Sequence, residues 1–354
     1  MKKAIKILCI FFGVTAALSV LFIVFLTIFE YRPQKTEAAV SVQRGGVSKL
    51  SPGETLVIVS WNIGYASLDA EQDFFMDGGK RIWPKTDSRV KTNLMGIRDY
   101  IAATRADAVL IQEVDRKSLR SYYIDEVKAL AESFGGTAVY APNFRCIFVP
   151  FPVPRFIGPV DSGLLTMSRF VTGDAERLGL TVPFKWPVRI ANLKRCLLVE
   201  RIPVEGTEAD LVLVNLHLEA YDDGGGRETQ TRELREFLYR EYRQGNYVIA
   251  GGDFNQNFPG IDEKLFALKN TGYFKPGFLS ETDLEPRWRF AFDPQVPSSR
   301  LLNEPYSGDY ADTQLYAIDG FLVSPNVEIV AVKTDDAQFR YSDHNPVVLK
   351  AALR

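Results

Sequence analysis

The chain has 354 residues, 46% apolar and 24% charged, which is enough apolar material for a packed core and leaves one large or two medium domains open. Its 42 basic and 44 acidic side chains leave a formal charge of −2, unlike the strongly basic balance of a general nucleic-acid coat, although a local basic cleft remains compatible with it. With three cysteines and two histidines, a disulfide scaffold and zinc-finger or His-rich metal sites are excluded.

The N-terminus opens with Lys2, Lys3 and Lys6, followed by 23 uncharged residues from Ile7 to Phe29. As a helix this run would be about 34 Å long, enough for a bilayer core of roughly 30 Å. The positive cluster predicts a cytoplasmic N-terminus and export of everything after Phe29. The competing reading is a cleaved signal peptide, whose apolar region is usually shorter and closely followed by a small-x-small site. Here Glu30, Tyr31 and Arg32 follow instead, and the first Ala pair, Ala38-Ala39, is distant. The expectation is therefore a single-pass anchor over residues 1–29 in the cell membrane, a juxtamembrane tether over 30–54, and an extracytoplasmic domain over 55–354.

Short runs rich in Val, Leu and Ile then recur and predict strands: Leu56–Ser60, Ala108–Gln112, Gly163–Met167, Cys196–Val199, Leu211–Leu216, Tyr247–Ala250, Gly320–Val323 and Pro346–Lys350. Helical spacing separates them. Val90, Leu94, Ile97 and Ile101 recur over Lys85–Arg105, Tyr122–Phe134 behaves similarly, and Leu234, Phe237, Leu238 and Tyr242 form a stripe in Glu228–Arg243. Strands and helices mix throughout, so the fold class is α/β. The stretches 140–160 and 272–317, rich in aromatics, Pro and Gly, are expected to be long loops facing a substrate. Cys146 and Cys196 are read as two buried thiols rather than a bridge.

Chemistry shows in the polar residues at strand ends. Six segments share that form: SWNIGY at 60–65, VLIQEVD at 109–115, LVNLHLEA at 213–220, VIAGGDFNQ at 248–256, AIDGFLVS at 317–324 and YSDHNPVV at 341–348. A carboxylate at the end of a buried strand is costly unless it is paired or metal-bound. Six such ends in one chain point to convergence on a single site. Both histidines, His217 and His344, fall inside these segments, the latter beside Asp343.

These six segments, in this order, resemble the endonuclease/exonuclease/phosphatase superfamily, and the chain is identified as a membrane-anchored member of bacterial type. The resemblance implies a four-layer sandwich, two packed mixed β-sheets flanked by helices, with the active site at one edge. It implies Mg²⁺, with Mn²⁺ as a substitute, held mainly by Glu113 with Asn62 and Asp343 beside it. His217 would bind the scissile phosphate, Asp253 would orient or deprotonate the attacking water, and Asn255 would hydrogen-bond the phosphoryl oxygens. Asp319 would fix the tautomer of His344.

The expected function is hydrolysis of a phosphate ester, by preference a diester, at the outer face of a membrane. An extracytoplasmic nuclease and an inactive binding module of the same fold are the alternatives. The near-neutral composition does not favour nucleic acid, none of the six motifs has a gap, and no protein partner is inferred. Tyr140, Asn143, Arg145, Trp288, Arg289 and Arg300 are candidates for the cleft mouth. In DFFMDGGK, Asp77 and Lys80 are candidates for substrate contact, with an ordinary Gly turn the preferred reading.

Overall fold

The computed structural model of the chain describes residues 1–222, 225–262, 264–270 and 272–354. It contains two seven-stranded mixed sheets packed face to face. The first runs, in spatial order, Thr36–Ala38, Ala175–Gly179, Cys196–Pro203, Asp210–His217, Tyr247–Asp253, Asp319–Val323 and Arg289–Ala291. The second runs Val327–Thr334, Val347–Leu353, Thr55–Asn62, Ala108–Asp115, Gly158–Ser168, Thr137–Val149 and Val40–Gln43.

Alternation along the strands explains the layering. Leu56 and Ile58 point between the sheets, where they meet Leu213, Ile249 and Phe321; Val59 and Trp61 point outward under the helices Asp87–Thr104 and Glu126–Phe134. In the other sheet, Val212, Val214 and Leu216 face the helix Gly225–Arg243 through Leu234, Phe237 and Leu238. Both faces of the central strands are covered, which is why they read as continuous apolar runs rather than as alternating ones. Cys146 and Cys196 are buried free thiols.

Two stretches differ from the sequence reading. Residues 140–160 are a loop only over 150–157: Thr137–Val149 is a thirteen-residue strand paired with Gly158–Ser168. Pro142 is tolerated because the pairing register shifts between Pro142 and Phe144, so no ladder bond is demanded of it. Residues 30–54, expected as a tether, supply an edge strand to each sheet: Thr36–Ala38 pairs with Ala175–Gly179, and Val40–Gln43 with Thr137–Val149. Edge pairing of this kind is carried by backbone hydrogen bonds and needs little apolar periodicity.

The N-terminal helix Lys2–Ile28 is long and apolar enough to cross a membrane. Its last turns do not stand apart from the domain. The ring of Phe22 meets Phe148 edge-on at 6.1 Å, Thr27 Oγ1 accepts a hydrogen bond from Trp186 Nε1 at 3.2 Å, and the Glu30 carboxylate sits between Arg189 (3.2 Å) and Lys194 (3.4 Å).

Candidate active site

Register alone assembles half of the site. The parallel pairing of Asp210–His217 with Tyr247–Asp253 sets His217 opposite Asp253, and the antiparallel pairing on the other side sets Asp253 opposite Asp319. Three motif residues therefore stand in a row across the ends of three adjacent strands. His217 Nε2 lies 3.4 Å from Asp253 Oδ2. Gly252 is required here. Its φ is 153°, and a Cβ would sit 1.9 Å from the carbonyl oxygen of Leu216. Gly252 thus serves close strand packing.

The second sheet supplies the opposing half. Ladder pairing of Ala108–Asp115 with Gly158–Ser168 breaks between Ile111 and Val114, and Glu113, inside that bulge, has φ 51°. A bulge re-aims the side chain it carries, here into the cavity. Asn62 Nδ2 donates to Glu113 Oε1 at 3.2 Å and to Asp253 Oδ2 at 3.1 Å, tying the two halves together. Behind them Gln112 Nε2 donates to Asn215 Oδ1 at 2.8 Å, and Asn215 Nδ2 donates to the carbonyls of Ile111 and Leu165. This buried polar joint fixes one sheet against the other one residue from Glu113 and two from His217.

His344 arrives from the turn before the last strand. Its Nδ1 lies 2.8 Å from Asp319 Oδ2, which also accepts from Ser298 Oγ at 2.7 Å; its Nε2 lies 3.9 Å from both Asp253 Oδ2 and Asp343 Oδ2. Electrostatics separates the two imidazoles. Burial opposes a charge on His344, but Asp319, Asp343 and Asp253 outweigh it and push its pKa up to about 10, so it is an imidazolium at neutral pH. His217 is driven the other way by burial, the Arg195 guanidinium and His344, and is neutral. Burial raises Asp343 to about 7, with the Glu113 charge adding to it; burial and the neighbouring Asp319 also raise Asp253.

Residues 59–344 match the model of the Endonuclease/Exonuclease/phosphatase family. The chain belongs to this family. It is one of divalent-metal-dependent hydrolases of phosphate esters, nucleases and phosphatases among them. No curated protein matches the chain. Among solved structures, a family protein of Beutenbergia cavernae DSM 12333 is similar at 19% identity and TM-score 0.56, covering 84% of this chain and 72% of that one. The human Nocturnin catalytic domain with bound sulfate is similar at 17% identity and TM-score 0.52, with 88% and 97% covered. A family protein of Bacteroides vulgatus is similar at 14% and 0.51, with 85% and 100% covered. At these identities the likeness establishes the fold.

The donor set suits the family's metal. Glu113, Asp343 and Asp253 bring hard oxygens to one cavity, with Asp319 behind them; burial raises Asp343 and Asp253, and the Glu113 and Asp319 charges add to it. Asp319 Oδ1 is buried without a partner. A divalent cation with oxygen ligands would relieve that crowding. Asp253, Asp319 and His344 also bring one donor atom each within 4.8 Å of one another. There, however, the 2.8 Å contact between His344 Nδ1 and Asp319 is better explained as a hydrogen-bonded ion pair, because the imidazole is protonated.

Glu113, His217, Asp253, Asn255, Asp343 and His344 all line one cavity of about 840 Å³, and Asp319 stands behind His344. One side chain is placed differently from the role the resemblance implies. Asn62 offers its N–H donors to the carboxylates and turns Oδ1 to the Gly64 N–H at 3.1 Å, so it braces Glu113 rather than presenting an oxygen to a metal. Asn255 Nδ2 donates to the Leu218 carbonyl at 2.8 Å and its N–H to Asp253 Oδ1 at 2.9 Å. One Nδ2 hydrogen is thereby taken by a carbonyl, the backbone N–H orients Asp253, and the side chain lines the cavity beside it.

Of the cleft-mouth candidates, Asn143 and Arg300 line the cavity. Tyr140 is core, Arg145 pairs with Asp161, Trp288 packs on Tyr239 and Tyr242, and Arg289 donates to the Val327 carbonyl. Asp77 does reach the cavity and accepts from Tyr221 Oη at 3.0 Å, while Gly78 makes the expected turn at φ 93°. Tyr221, Arg195 and Glu219 also line it without having been singled out; of these only Glu219, two residues beyond His217 in the same motif, carried a signal.

Proposed function

We propose that the protein is a membrane-anchored, Mg²⁺-dependent phosphodiesterase acting at the extracytoplasmic face. The observation that carries this reading is the row His217–Asp253–Asp319 with its imidazolium His344, facing Glu113 and Asp343 across one cavity. Glu113 and Asp343 would hold the ion, which when bound neutralises charge on the non-bridging phosphate oxygens. Asp253 takes the proton of the attacking water. Burial and Asp319 raise its pKa from the usual carboxylate range, which makes it a stronger base while Asn62 and Asn255 hold its orientation. His344, kept charged by Asp319, donates from Nε2 to the phosphoryl oxygens as negative charge builds on them. Neutral His217 donates from the opposite side. The orientation of the domain follows from Lys2, Lys3 and Lys6 on the inner side of the helix.

The test is turnover of bis(p-nitrophenyl) phosphate by the full chain in detergent with Mg²⁺. Asp253→Asn is expected to lower it at least about a hundredfold, on the scale of a lost positioned base. Full turnover by Asp253→Asn would refute the assignment.

A further inference from the structure

The cavity does not end at the catalytic groups. From His217, Glu113 and Asp343 it continues to a wall made by Phe22, Ile23 and Leu26 of the N-terminal helix, with Phe151, Pro187 and Val188 opposite. Its volume of about 840 Å³ lies toward the upper end of ligand pockets, roughly 300–1,000 Å³. Of the hydrogen-bonding side chains in this outer part, Ser19 already donates to the Thr15 carbonyl and Asn192 accepts from the Leu193 N–H, and the rest of the wall is apolar, so what fits it is hydrocarbon.

Depth along the helix says which hydrocarbon. Glu30, paired with Arg189 and Lys194, marks the polar end of the span. Phe22 lies eight residues earlier, about 12 Å further toward the bilayer at 1.5 Å per residue. Phe148, near the end of the strand Thr137–Val149, is in contact with Phe22, so that strand end reaches this depth, comparable to the roughly 5–10 Å by which interfacial segments enter the headgroup boundary. Around the opening, Phe151, Val153, Trp186 and Val188 are 57%, 75%, 56% and 59% exposed. Arg155, Lys185 and Arg189 are exposed beside them, the sign of charge that anionic headgroups attract. Trp186 is tied to the helix through Thr27, where an interfacial indole belongs.

We infer that the substrate is a membrane phospholipid. Its phosphodiester reaches the catalytic groups while its chain lies along the Phe22–Leu26 wall, without the lipid leaving the bilayer. This rests on the phosphodiesterase reading and adds the substrate class. The water oxygen bonds to phosphorus, one P–O ester bond breaks, and that alcohol leaves with a proton.

The full chain, reconstituted in vesicles of phosphatidylcholine and phosphatidylglycerol, is assayed for diacylglycerol or phosphoryl-headgroup release, with bis(p-nitrophenyl) phosphate turnover measured in the same preparation. Lipid hydrolysis is expected. Ile23→Trp, which fills the chamber, and Val188→Asp, which charges its rim, should each lower the ratio of lipid to soluble-diester turnover at least tenfold. Brominated lipid should quench the tryptophan emission, and Trp186→Phe should remove most of that quenching; this readout does not depend on catalysis. Soluble-diester turnover with intact lipid, an unmoved ratio in both variants, or faster cleavage of single-stranded DNA than of lipid would overturn the inference and leave the phosphodiesterase reading standing. A wild type inert on every substrate would overturn both.

Discussion

Removing the Asp319 carboxylate tests whether the His344 arrangement is catalytic. The contact is 2.8 Å, almost fully buried, and reinforced by Ser298 Oγ at 2.7 Å. A hydrogen bond to a charged group is worth about 1.5–3 kcal/mol, and each 1.36 kcal/mol lost from transition-state stabilisation is tenfold in rate. Asp319→Ala is therefore expected to slow turnover by about ten- to a hundredfold. His344→Ala, which removes the donor itself, should cost at least about a hundredfold. Because Asp319 acts mainly through His344, with a smaller influence on the basicity of Asp253, the double variant should be little slower than His344→Ala alone. The assay is initial-rate hydrolysis of bis(p-nitrophenyl) phosphate with Mg²⁺, accompanied by circular dichroism and a melting curve for each variant. Losses that multiply across the pair would refute the coupling, and unfolded single variants would make these residues structural.

Exhaustive chelation should abolish turnover and Mg²⁺ or Mn²⁺ should restore it, whereas activity surviving chelation would contradict the oxygen-rich donor set around Glu113 and Asp343. Protease added to intact cells or spheroplasts should digest the domain after residue 30; protection until lysis would reverse the orientation. Glu200 supplies a pH prediction away from the site. It is fully buried, both carboxylate oxygens lack partners, and burial raises its pKa from 4.5 to about 8. The folded state then holds a proton that the unfolded state releases between those values. Stability is thus full below about pH 4.5, falls as pH rises to about 8, and is flat above. At about 1.36 kcal/mol per pH unit the loss is up to about 5 kcal/mol. Asp343, Asp253 and His344 add to the fall over the same range, so Glu200→Gln should reduce, not abolish, the drop in melting temperature between pH 5 and pH 8.5; an equal drop in both proteins would show that Glu200 does not contribute.

What could be read from the sequence follows how local the cause is. Strand ends at Asn62, Glu113, His217, Asp253 and Asp319 were legible because a buried apolar run followed by a polar side chain is a local pattern, and register then turns three of them into a row. The bulge that aims Glu113 left no such mark. Pro142 and the aromatics around it favoured a loop, and only the register shift just after it, where Asn143 is an extra residue in its own strand, makes the proline acceptable in a sheet. Arg195 and Tyr221 were invisible for a related reason. One sits just before the strand Cys196–Pro203 and the other just after the His217 strand, and only the tertiary fold turns both toward the same cavity.

The contact between the N-terminal helix and the cleft is the largest departure from the sequence picture, and it changes what that helix does. A flexible tether of some twenty-five residues would let the domain sample many orientations and serve only to raise its concentration near the membrane. Pairing Thr36–Ala38 and Val40–Gln43 into the two sheets removes that freedom. Between the end of the helix at Ile28 and the first of these strands lie only seven residues, and Glu30 among them is held by Arg189 and Lys194. The same loop that supplies Arg189 supplies Val188 to the cavity rim. Anchor, rim and cleft therefore form one continuous surface, so the direction in which the active site opens is fixed by the helix rather than by diffusion of a tethered domain.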